Sequence, residues 1–350
     1  MIETMTRPAS SVDRLILRYR LTTEEAAQAE ELARSCLQAY GSVDSPRFLA
    51  DAGVLAADLP FALRDLANVA RLDDRKHAVV ISGSHIDDAL LGDTPACWQE
   101  ADTAESRLYG MQLALYATLF GDVVGWATQQ AGRLVADVVP TRGHEQVILN
   151  SCSTRELAWH TEDAFSPYRA DYVGLLCLRS PDLAATTLSS VDLRRIPDEV
   201  AAILAEPRFV ILPDNAHDPD HNAGAQATDD EAFDRLAGVR QQPPPVALLD
   251  GHPGAPVLRI DRDFVAAVDG DPAAERALAW LVGHLDRNLY DVPLAAGDAC
   301  FIDNRNAVHG RRPFQARYDG RDRWLKRVNV VTDLRRSRPA RQSATDRVIG

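Results

Sequence analysis

The sequence predicts an α+β protein in which helices come first and an antiparallel β sandwich or barrel follows. Three observations support this class. Residues up to about 121 contain amphipathic or buried helical patterns. From about residue 145 onward, short β-rich runs are separated by Pro, Gly and Asp turns. Helices and strands are segregated rather than alternating, which favours α+β over a parallel α/β sheet. The chain of 350 residues, 46% of them apolar, is long enough to bury a large core.

The helical part begins after a polar lead-in at residues 1–20. Thr22 and Glu25 form a capping box, in which each side chain binds the backbone N–H of the other residue, and an amphipathic helix then runs to Gly41. Further elements are predicted as helices at about 58–70 and 107–121 and a strand at 77–83.

The second part is dominated by short strands. The predicted strands are 171–179, 186–191, 208–214, 256–261, 298–304 and 327–333. One helix interrupts them, with Asp271 as its cap and Pro272 in its first turn. The polar stretch 215–247 has no strong pattern, and loops of that length are usually functional lids or disordered.

Charge is distributed unevenly along the chain. The net charge is −13, yet residues 301–350 carry 13 Lys and Arg against 5 Asp and Glu. An acidic body argues against a nucleic-acid binder, and the basic segment calls for smaller anionic partners. No apolar run is long enough to span a membrane. The first residues lack the apolar segment of a secretory signal and the five cysteines are scattered, so we expect a cytoplasmic protein with reduced thiols.

One constellation of residues suggests metal chemistry. His160 and Glu162 stand two residues apart, which places both side chains on the same face of an extended segment. His309 follows the predicted strand 298–304, and Arg323 lies 14 residues after it. Two histidines and one carboxylate form the facial triad of non-haem Fe(II) oxygenases, and a guanidinium suits the far carboxylate of 2-oxoglutarate.

Two long segments resemble a known family. HTEDAFSPYRADYVGLLCLR (160–179) and AVHGRRPFQARYDGRDRWLKR (307–327) resemble the clavaminate synthase-like branch of the taurine-dioxygenase superfamily of Fe(II)/2-oxoglutarate oxygenases. More narrowly, they are similar to free amino acid hydroxylases of peptide-antibiotic pathways, such as L-arginine 3-hydroxylases of the viomycin type. The resemblance covers nearly the whole chain. It implies one domain over 1–350, with a helical part at about 20–120, a double-stranded β-helix (jelly-roll) core at about 125–335 and a lid at about 214–247.

The resemblance also implies roles for individual residues. Fe(II) would be held by His160, Glu162 and His309. The co-substrate 2-oxoglutarate would be held by Arg323 and Thr187, with Thr186 as the neighbouring alternative. O₂ would take a remaining position on the iron.

For the substrate, the resemblance assigns the α-carboxylate to Arg327 and the amino group to Gln129 and Glu162. Asp261 and Asp263 would hold the substrate guanidinium, and Asp214 lies in the lid. The lid departs from the related enzymes at Ala216, where they carry serine, so its contacts are expected to differ.

The residue chemistry agrees with a guanidinium substrate. Asp261 and Asp263 are two residues apart, so on an extended segment they face the same way. Paired carboxylates suit a planar guanidinium with five donors better than a compact ammonium. Each of these residues also has a purely structural alternative. The two aspartates could lie in a solvated turn, Arg327 could form an ion pair in the sheet, and Gln129 could bind backbone groups at a helix end. The other arginines of the basic segment, Arg311 among them, are expected at the surface or in ion pairs.

The leading functional hypothesis is hydroxylation of free L-arginine at C3 in natural-product biosynthesis. Within the family, the alternatives are 4,5-desaturation, hydroxylation at C4 or twice, and β-hydroxylation of a cyclic derivative such as enduracididine or capreomycidine. Outside it stand a zinc hydrolase using the same triad and a non-catalytic binding module. The expected partner is a small molecule, with no nucleic acid and no membrane, and the oligomeric state stays open.

Overall fold

The computed structural model describes residues 14–147, 151–191, 196–222, 230–252 and 255–350. Within these residues, the helices are α1 (Thr23–Tyr40), α2 (Pro46–Leu55), α3 (Phe61–Leu72), α4 (Asp88–Leu91), α5 (Ala104–Thr118), α6 (Asp198–Leu204), α7 (Pro219–Asn222), α8 (Asp230–Gln241) and α9 (Pro272–Arg287). None of the described helices is long and apolar enough to cross a membrane.

The strands make up one large and one smaller sheet together with two short pairs. They are β1 (Ile16–Arg20), β2 (Ala78–Ser82), β3 (Asp122–Trp126), β4 (Val135–Val138), β5 (Leu157–His160), β6 (Tyr172–Arg179), β7 (Thr186–Ser190), β8 (Phe209–Ile211), β9 (Leu249–His252), β10 (Ala255–Leu258), β11 (Val265–Ala267), β12 (Tyr290–Val292), β13 (Ala299–Asp303), β14 (Ala307–Arg311), β15 (Trp324–Val331) and β16 (Val348–Ile349).

The large sheet is mixed and runs in the order β1-β2-β13-β6-β15-β3-β16, with β4 also paired to β15. Its central strand β6 is buried along all eight residues because both faces of the sheet are covered. Alternation along the strands separates the two faces: Val79 and Ile81 pack with the helices, whereas Ala78 and Val80 face the other way. The same helix-side core contains buried residues of α1, α3 and α5, so the N-terminal helices cover this face of the sheet.

The smaller sheet is antiparallel, in the order β12-β7-β14-β5. One apolar cluster contains Leu188 of β7 and Ala307 of β14 together with Leu175 and Leu325 of the large sheet. The two sheets therefore pack face to face around a shared core. A separate apolar cluster includes Leu281 and Leu285 of α9, which contacts β7 and β11.

Most predicted elements are present. α1 carries the expected capping box at Thr22, and Asp271 caps α9 by accepting from Ala274 N. The lead-in is wrong in part: residues 16–20 form β1, which pairs in parallel with β2. The alternation of Leu17 and Tyr19 with Arg18 and Arg20 is too short to distinguish a strand from a polar tail. Helix α2 was also missed, although Pro46 follows Ser45 at its start.

The stretch predicted to be a patternless lid contains helices in its described part. A 3-10 turn at Asn215–His217, α7 and the twelve-residue α8 occupy it, whereas residues 223–229 lie outside the described residues. Arg240 of α8 forms an ion pair with Asp218 and donates to the Asp214 carbonyl at 2.9 Å. These contacts between distant parts of the stretch stabilise structure that local pattern does not reveal.

The arginines of the basic C-terminal segment fall into exposed and buried groups. Arg312, Arg317 and Arg321 form exposed ion pairs, as predicted. The expectation for Arg311 is wrong: it is 3% exposed and donates to Cys152 Sγ at 2.8 Å and to the Arg155 carbonyl at 3.1 Å. Its place on β14, in the middle of the smaller sheet, explains this burial.

Candidate active site

The three predicted metal ligands converge at the end of the smaller sheet. His160 is the last residue of β5 and pairs directly with His309 of β14, while Glu162 follows two residues later. One ligand atom from each residue lies within 4.8 Å of the others. Both imidazoles direct Nε2 at the same oxygen, Glu162 Oε2, at 3.6 Å from His160 and 3.3 Å from His309. This donor set suits a divalent first-row metal with open coordination positions.

Glu162 is held from three sides. Arg327 of β15 forms an ion pair with its Oε1, which leaves Oε2 directed at the histidines. Its backbone N–H donates to Asn304 Oδ1 at 2.7 Å, and Asn304 Nδ2 donates back to the Glu162 carbonyl at 3.2 Å. Burial disfavours the carboxylate, but Arg327 and the two histidines hold the pKa of Glu162 well below its usual range. Glu162 therefore stays ionised and ready to bind a metal.

The two imidazoles differ in their surroundings. His160 Nδ1 lies 2.9 Å from the Ala158 carbonyl, an acceptor that fixes the proton on Nδ1 and leaves Nε2 free for a metal. Burial works against a charged His160, but Glu162 and Asp261 raise its pKa to about 9. Burial and the neighbouring His160 lower the pKa of His309. His309 Nδ1 is buried without a hydrogen-bond partner among the described residues.

Arg323 fits the predicted binding site for a carboxylate. It is 6% exposed, its Nε has no hydrogen-bond partner, and no described carboxylate forms an ion pair with it. Burial, reinforced by the nearby Arg311, lowers the pKa of Arg323 to about 10. An unpaired buried guanidinium is costly unless an anion arrives.

Thr187 is buried on β7, opposite Gly310 of β14. A Cβ built on Gly310 would lie 2.9 Å from Thr187 Oγ1, so the hydroxyl is directed towards the strand that carries His309. The neighbouring Thr186 instead opposes Arg311. The structure shows no hydrogen bond between Thr187 and Arg323.

Three acidic residues line a cavity beside the predicted metal ligands. Asp214, Asp261 and Asp263 line one cavity together with His160, Glu162 and Arg327. Asp261 pairs with His160 across an isolated β-bridge. The extended geometry expected between the two aspartates is wrong, because Asp263 N donates to Asp261 Oδ1 at 3.0 Å in a turn. The turn nevertheless directs both carboxylates into the same cavity.

The protein provides little positive charge for these aspartates. Arg155 approaches Asp263 at 3.8 Å, and Asp214 caps the 3-10 turn by accepting from Ala216 N at 2.8 Å. Burial and the neighbouring Asp214 raise the pKa of Asp261 to about 7, although His160 acts in the opposite direction. A cation in this cavity would relieve that accumulation of negative charge.

Gln129 is bonded to Arg327, another residue predicted to contact the substrate, although it is not among the residues that line the cavity of the three aspartates. Its Oε1 accepts from Arg327 Nη2 at 2.7 Å, so Arg327 joins Gln129 to Glu162. The ion pair expected for Arg327 as a structural alternative does form, but its partner is the metal ligand itself. Gln129 precedes a tight turn with positive φ at Gln130 and Ala131.

A buried polar network below Gln129 was not predicted. Asp163 accepts from Trp126 Nε1 at 2.5 Å and from Asn329 Nδ2 at 3.2 Å. His217, at the end of the 3-10 turn Asn215–His217, places its ring beside this carboxylate, with Nε2 at 3.1 Å from Oδ1. The sequence signal was weak, because these residues are far apart and His217 was one histidine among nine.

Comparisons with known proteins agree with this geometry. Residues 110–329 match the model of the taurine catabolism dioxygenase TauD, TfdA family. The chain belongs to this dioxygenase family. Within it, the chain is 39% identical over 341 residues to the enduracididine beta-hydroxylase of Streptomyces hygroscopicus, covering 95% of this chain and 100% of the relative. It is 37% identical to the L-ornithine/L-arginine 3-hydroxylase of Catenulispora acidiphila, covering 95% and 99% of the two chains.

Solved structures show a similar fold. The non-heme iron oxygenase OrfP, in complex with Fe, succinate and (3S)-hydroxy-L-Arg, superposes with a TM-score of 0.91 at 41% identity, covering 95% of this chain and 99% of that chain. Another OrfP structure contains Fe and alpha-ketoglutaric acid. The chain is therefore a TauD-like oxygenase, with a mixed sheet, flanking helices and a His-Glu-His metal centre.

Proposed function

We propose that this protein uses Fe(II), 2-oxoglutarate and O₂ to hydroxylate free L-arginine at C3. The observation that carries the proposal is the cavity that joins the metal ligands His160 and Glu162 to Arg327 and to three aspartates. A zwitterionic amino acid with a cationic side chain matches these charges. OrfP with bound (3S)-hydroxy-L-Arg and the relative named as an L-ornithine/L-arginine 3-hydroxylase support the same substrate class.

The metal site fits iron and its co-substrate. Two neutral imidazoles and one carboxylate from one side leave positions for a bidentate keto acid and O₂. When bound, iron and 2-oxoglutarate supply the oxidising power that removes a hydrogen from an unactivated carbon. Arg323, which is buried and has no anionic partner among the described residues, would bind the distal carboxylate of 2-oxoglutarate, with the Thr187 hydroxyl as a further donor.

The chain's own residues bind and orient the substrate. Arg327 would bind the α-carboxylate, while Gln129 Oε1 and Glu162 would face the α-ammonium. Asp261 and Asp263 would bind the guanidinium, and Asp214 would add negative charge from the lid. With both ends held, the methylene groups between them would be fixed beside the metal ligands, and their position would decide which C–H reacts.

We also infer that the two packed sheets form a double-stranded β-helix core at about 125–335, within a single domain over 1–350. The smaller sheet β12-β7-β14-β5 facing the large sheet supports this arrangement, since the metal ligands lie at one end of it. The segment at about 214–247 would serve as the lid, because Asp214 and Ala216 line the cavity.

The test is incubation of the iron-loaded protein with 2-oxoglutarate and a panel of L-arginine, L-ornithine and cyclic arginine derivatives. The relative named enduracididine beta-hydroxylase is the reason to include the cyclic compounds. Gain of one oxygen atom by mass spectrometry, located at C3 by NMR, supports the proposal. Loss of two hydrogens would instead establish desaturation, and oxygen at C4 a different regiochemistry.

Matched variants connect the product to the site. His309→Ala should abolish turnover, whereas His284→Ala, a histidine of α9 that stacks on Trp280, should not. Hydrolysis of a substrate without consumption of 2-oxoglutarate would favour a zinc hydrolase, in which Arg323 would have no role. Ligand binding unaffected by His309→Ala and no turnover of any substrate would favour a binding module.

A further inference from the structure

His217 is a lid residue with an entirely buried side chain. Its Nδ1 lies 2.7 Å from Thr128 Oγ1, and its Nε2 lies 3.0 Å from Gln129 Nε2. The ring packs edge-on against Trp126 and Phe165, with centroids 5.5 and 5.0 Å away. A polar ring this well packed and bonded is expensive to displace, so this part of the lid is fixed to the turn that carries Gln129.

The contacts determine which way the Gln129 amide faces. Arg327 has only donors, so the atom that it contacts at 2.7 Å must be the amide oxygen. The amide nitrogen then faces His217 Nε2 at 3.0 Å and Asp163 Oδ1 at 3.4 Å. His217 Nε2 lies 3.1 Å from the same Asp163 Oδ1, so this carboxylate oxygen accepts from both the ring N–H and the Gln129 amide, while His217 Nδ1 accepts from the Thr128 hydroxyl.

This orientation matters for an α-amino group. An ammonium has three donors and no acceptor, so it needs the oxygen of Gln129 and is repelled by its NH₂ group. Arg327 donates to this oxygen, and Asp163 Oδ1, which His217 contacts, accepts from the amide nitrogen, so both contacts favour the same orientation of the amide. An amide that can rotate divides its time between a favourable and an unfavourable contact.

We propose that His217 is a positioning residue that, through Asp163, fixes the Gln129 amide with its oxygen towards the substrate α-ammonium, so that the placement of the lid and the selection of α-amino acids are coupled. The inference rests on the proposed function and deepens it. A second tie acts on the same turn, because Gln130 N donates to Asn222 Oδ1 of α7 at 2.7 Å. Asp163 supports the network from below, held by Trp126 and Asn329.

The decisive comparison is between L-arginine and 5-guanidinopentanoate, which is arginine without its α-amino group. Binding of each is measured by calorimetry, without oxygen, to the metal-loaded protein with 2-oxoglutarate. His217→Phe keeps the aromatic packing and removes both ring nitrogens. It should weaken L-arginine binding about 10- to 100-fold, the range of a hydrogen bond to a charged group, and leave 5-guanidinopentanoate nearly unchanged. His217→Gln restores an N–H donor for Asp163 Oδ1 and should recover part of the loss.

A merely structural role predicts a different pattern. In that case, His217→Phe weakens both ligands by the same factor and His217→Gln recovers nothing, which would overturn the inference. His284→Phe is the matched control, since that ring stacks on Trp280 in α9. If the wild-type protein binds neither ligand, the proposed function fails and the inference fails with it. This outcome differs from failure of the inference alone, in which the wild-type protein binds L-arginine and only the pattern among the variants is wrong.

A second variant keeps the test decisive if His217→Phe does not fold. Thr128→Val removes the partner of Nδ1 and leaves the ring in place. It should lower the preference for L-arginine over 5-guanidinopentanoate in the same direction and by a smaller factor. An unchanged preference in a folded Thr128→Val protein would refute the proposed orientation of the amide.

Discussion

Asp261 offers the sharpest test of the guanidinium site, because its charge depends on pH in the accessible range. Asp261 is 8% exposed. Burial raises the pKa of its carboxyl to about 7, and the negative charge of the neighbouring Asp214 acts in the same direction. We expect Asp261→Asn to weaken L-arginine binding about 10- to 100-fold, since a hydrogen bond to a charged group contributes about 1.5–3 kcal/mol. L-Citrulline, which carries a neutral urea in place of the guanidinium, should lose much less.

The pH dependence follows from the direction of the shift. A cation binds the carboxylate and not the protonated acid, so affinity should fall as pH drops below the pKa of Asp261. One pH unit below that pKa, about nine tenths of the carboxyls are protonated, and binding weakens about tenfold, or 1.4 kcal/mol. A metal ion beside His160 favours the carboxylate, so the transition in the loaded enzyme falls at or below about pH 7.

The assay is calorimetric titration of L-arginine between about pH 5.5 and about pH 8.5, together with hydroxylated product formed per succinate. Asp261→Asn should flatten the pH profile and reduce product far more than it reduces uncoupled 2-oxoglutarate decay. Asp198→Asn, at an exposed acid in α6, is the matched control. Equal loss of both activities, or equal weakening of arginine and citrulline, would refute the guanidinium assignment.

Three further changes have defined outcomes. Lys326→Met removes the ion-pair partner of the buried Asp137, which lies 2.7 Å away, so the free energy of unfolding in urea should fall by about 3–5 kcal/mol. A loss below about 1 kcal/mol would contradict this expectation. Burial lowers the pKa of His160, but Glu162 and Asp261 outweigh burial and raise this pKa to about 9. Metal binding near neutral pH should therefore release about one proton and become tighter as pH rises. Calorimetry in buffers of different ionisation enthalpy measures the released proton. Gly310→Ala places a Cβ 2.5 Å from the Leu157 carbonyl oxygen, which displaces β14 and should lower the metal affinity. Gly53→Ala is the control, because the space around Gly53 is open, and it should leave the metal affinity unchanged.

The features predicted from local sequence are those that depend on interactions between residues close together in the chain. The caps at Thr22 and Asp271 specify helix starts, and the spacing of His160 and Glu162 places both on one ligand site. His309 could be linked to them only by the pattern of the whole family, since 147 residues separate it from Glu162 and strand pairing brings them together. Thus the sequence predicted these ligands, and strand pairing explains how the three residues converge.

The missed features all depend on contacts between distant segments. Asp163 and His217 are 54 residues apart, and neither carries a local signal of its role. Arg311 was expected at the surface because its neighbours are polar, yet β14 lies between β5 and β7 and buries it. A charge count cannot distinguish a guanidinium that is solvated from one that is buried by its sheet.

The uneven charge of the chain acquires a physical meaning in the cavity. Arg327 now satisfies Glu162 and Gln129, whereas Asp261 has no cationic partner of its own within the described residues apart from neighbouring His160. Under the proposed assignments, a bound amino acid changes both conditions at once. Its carboxylate competes for Arg327, which frees the Gln129 oxygen for the ammonium, and its guanidinium supplies the missing charge at Asp261. A substrate lacking either end can make only half of this exchange, so selectivity for arginine-like amino acids should arise from the two ends together rather than from either contact alone.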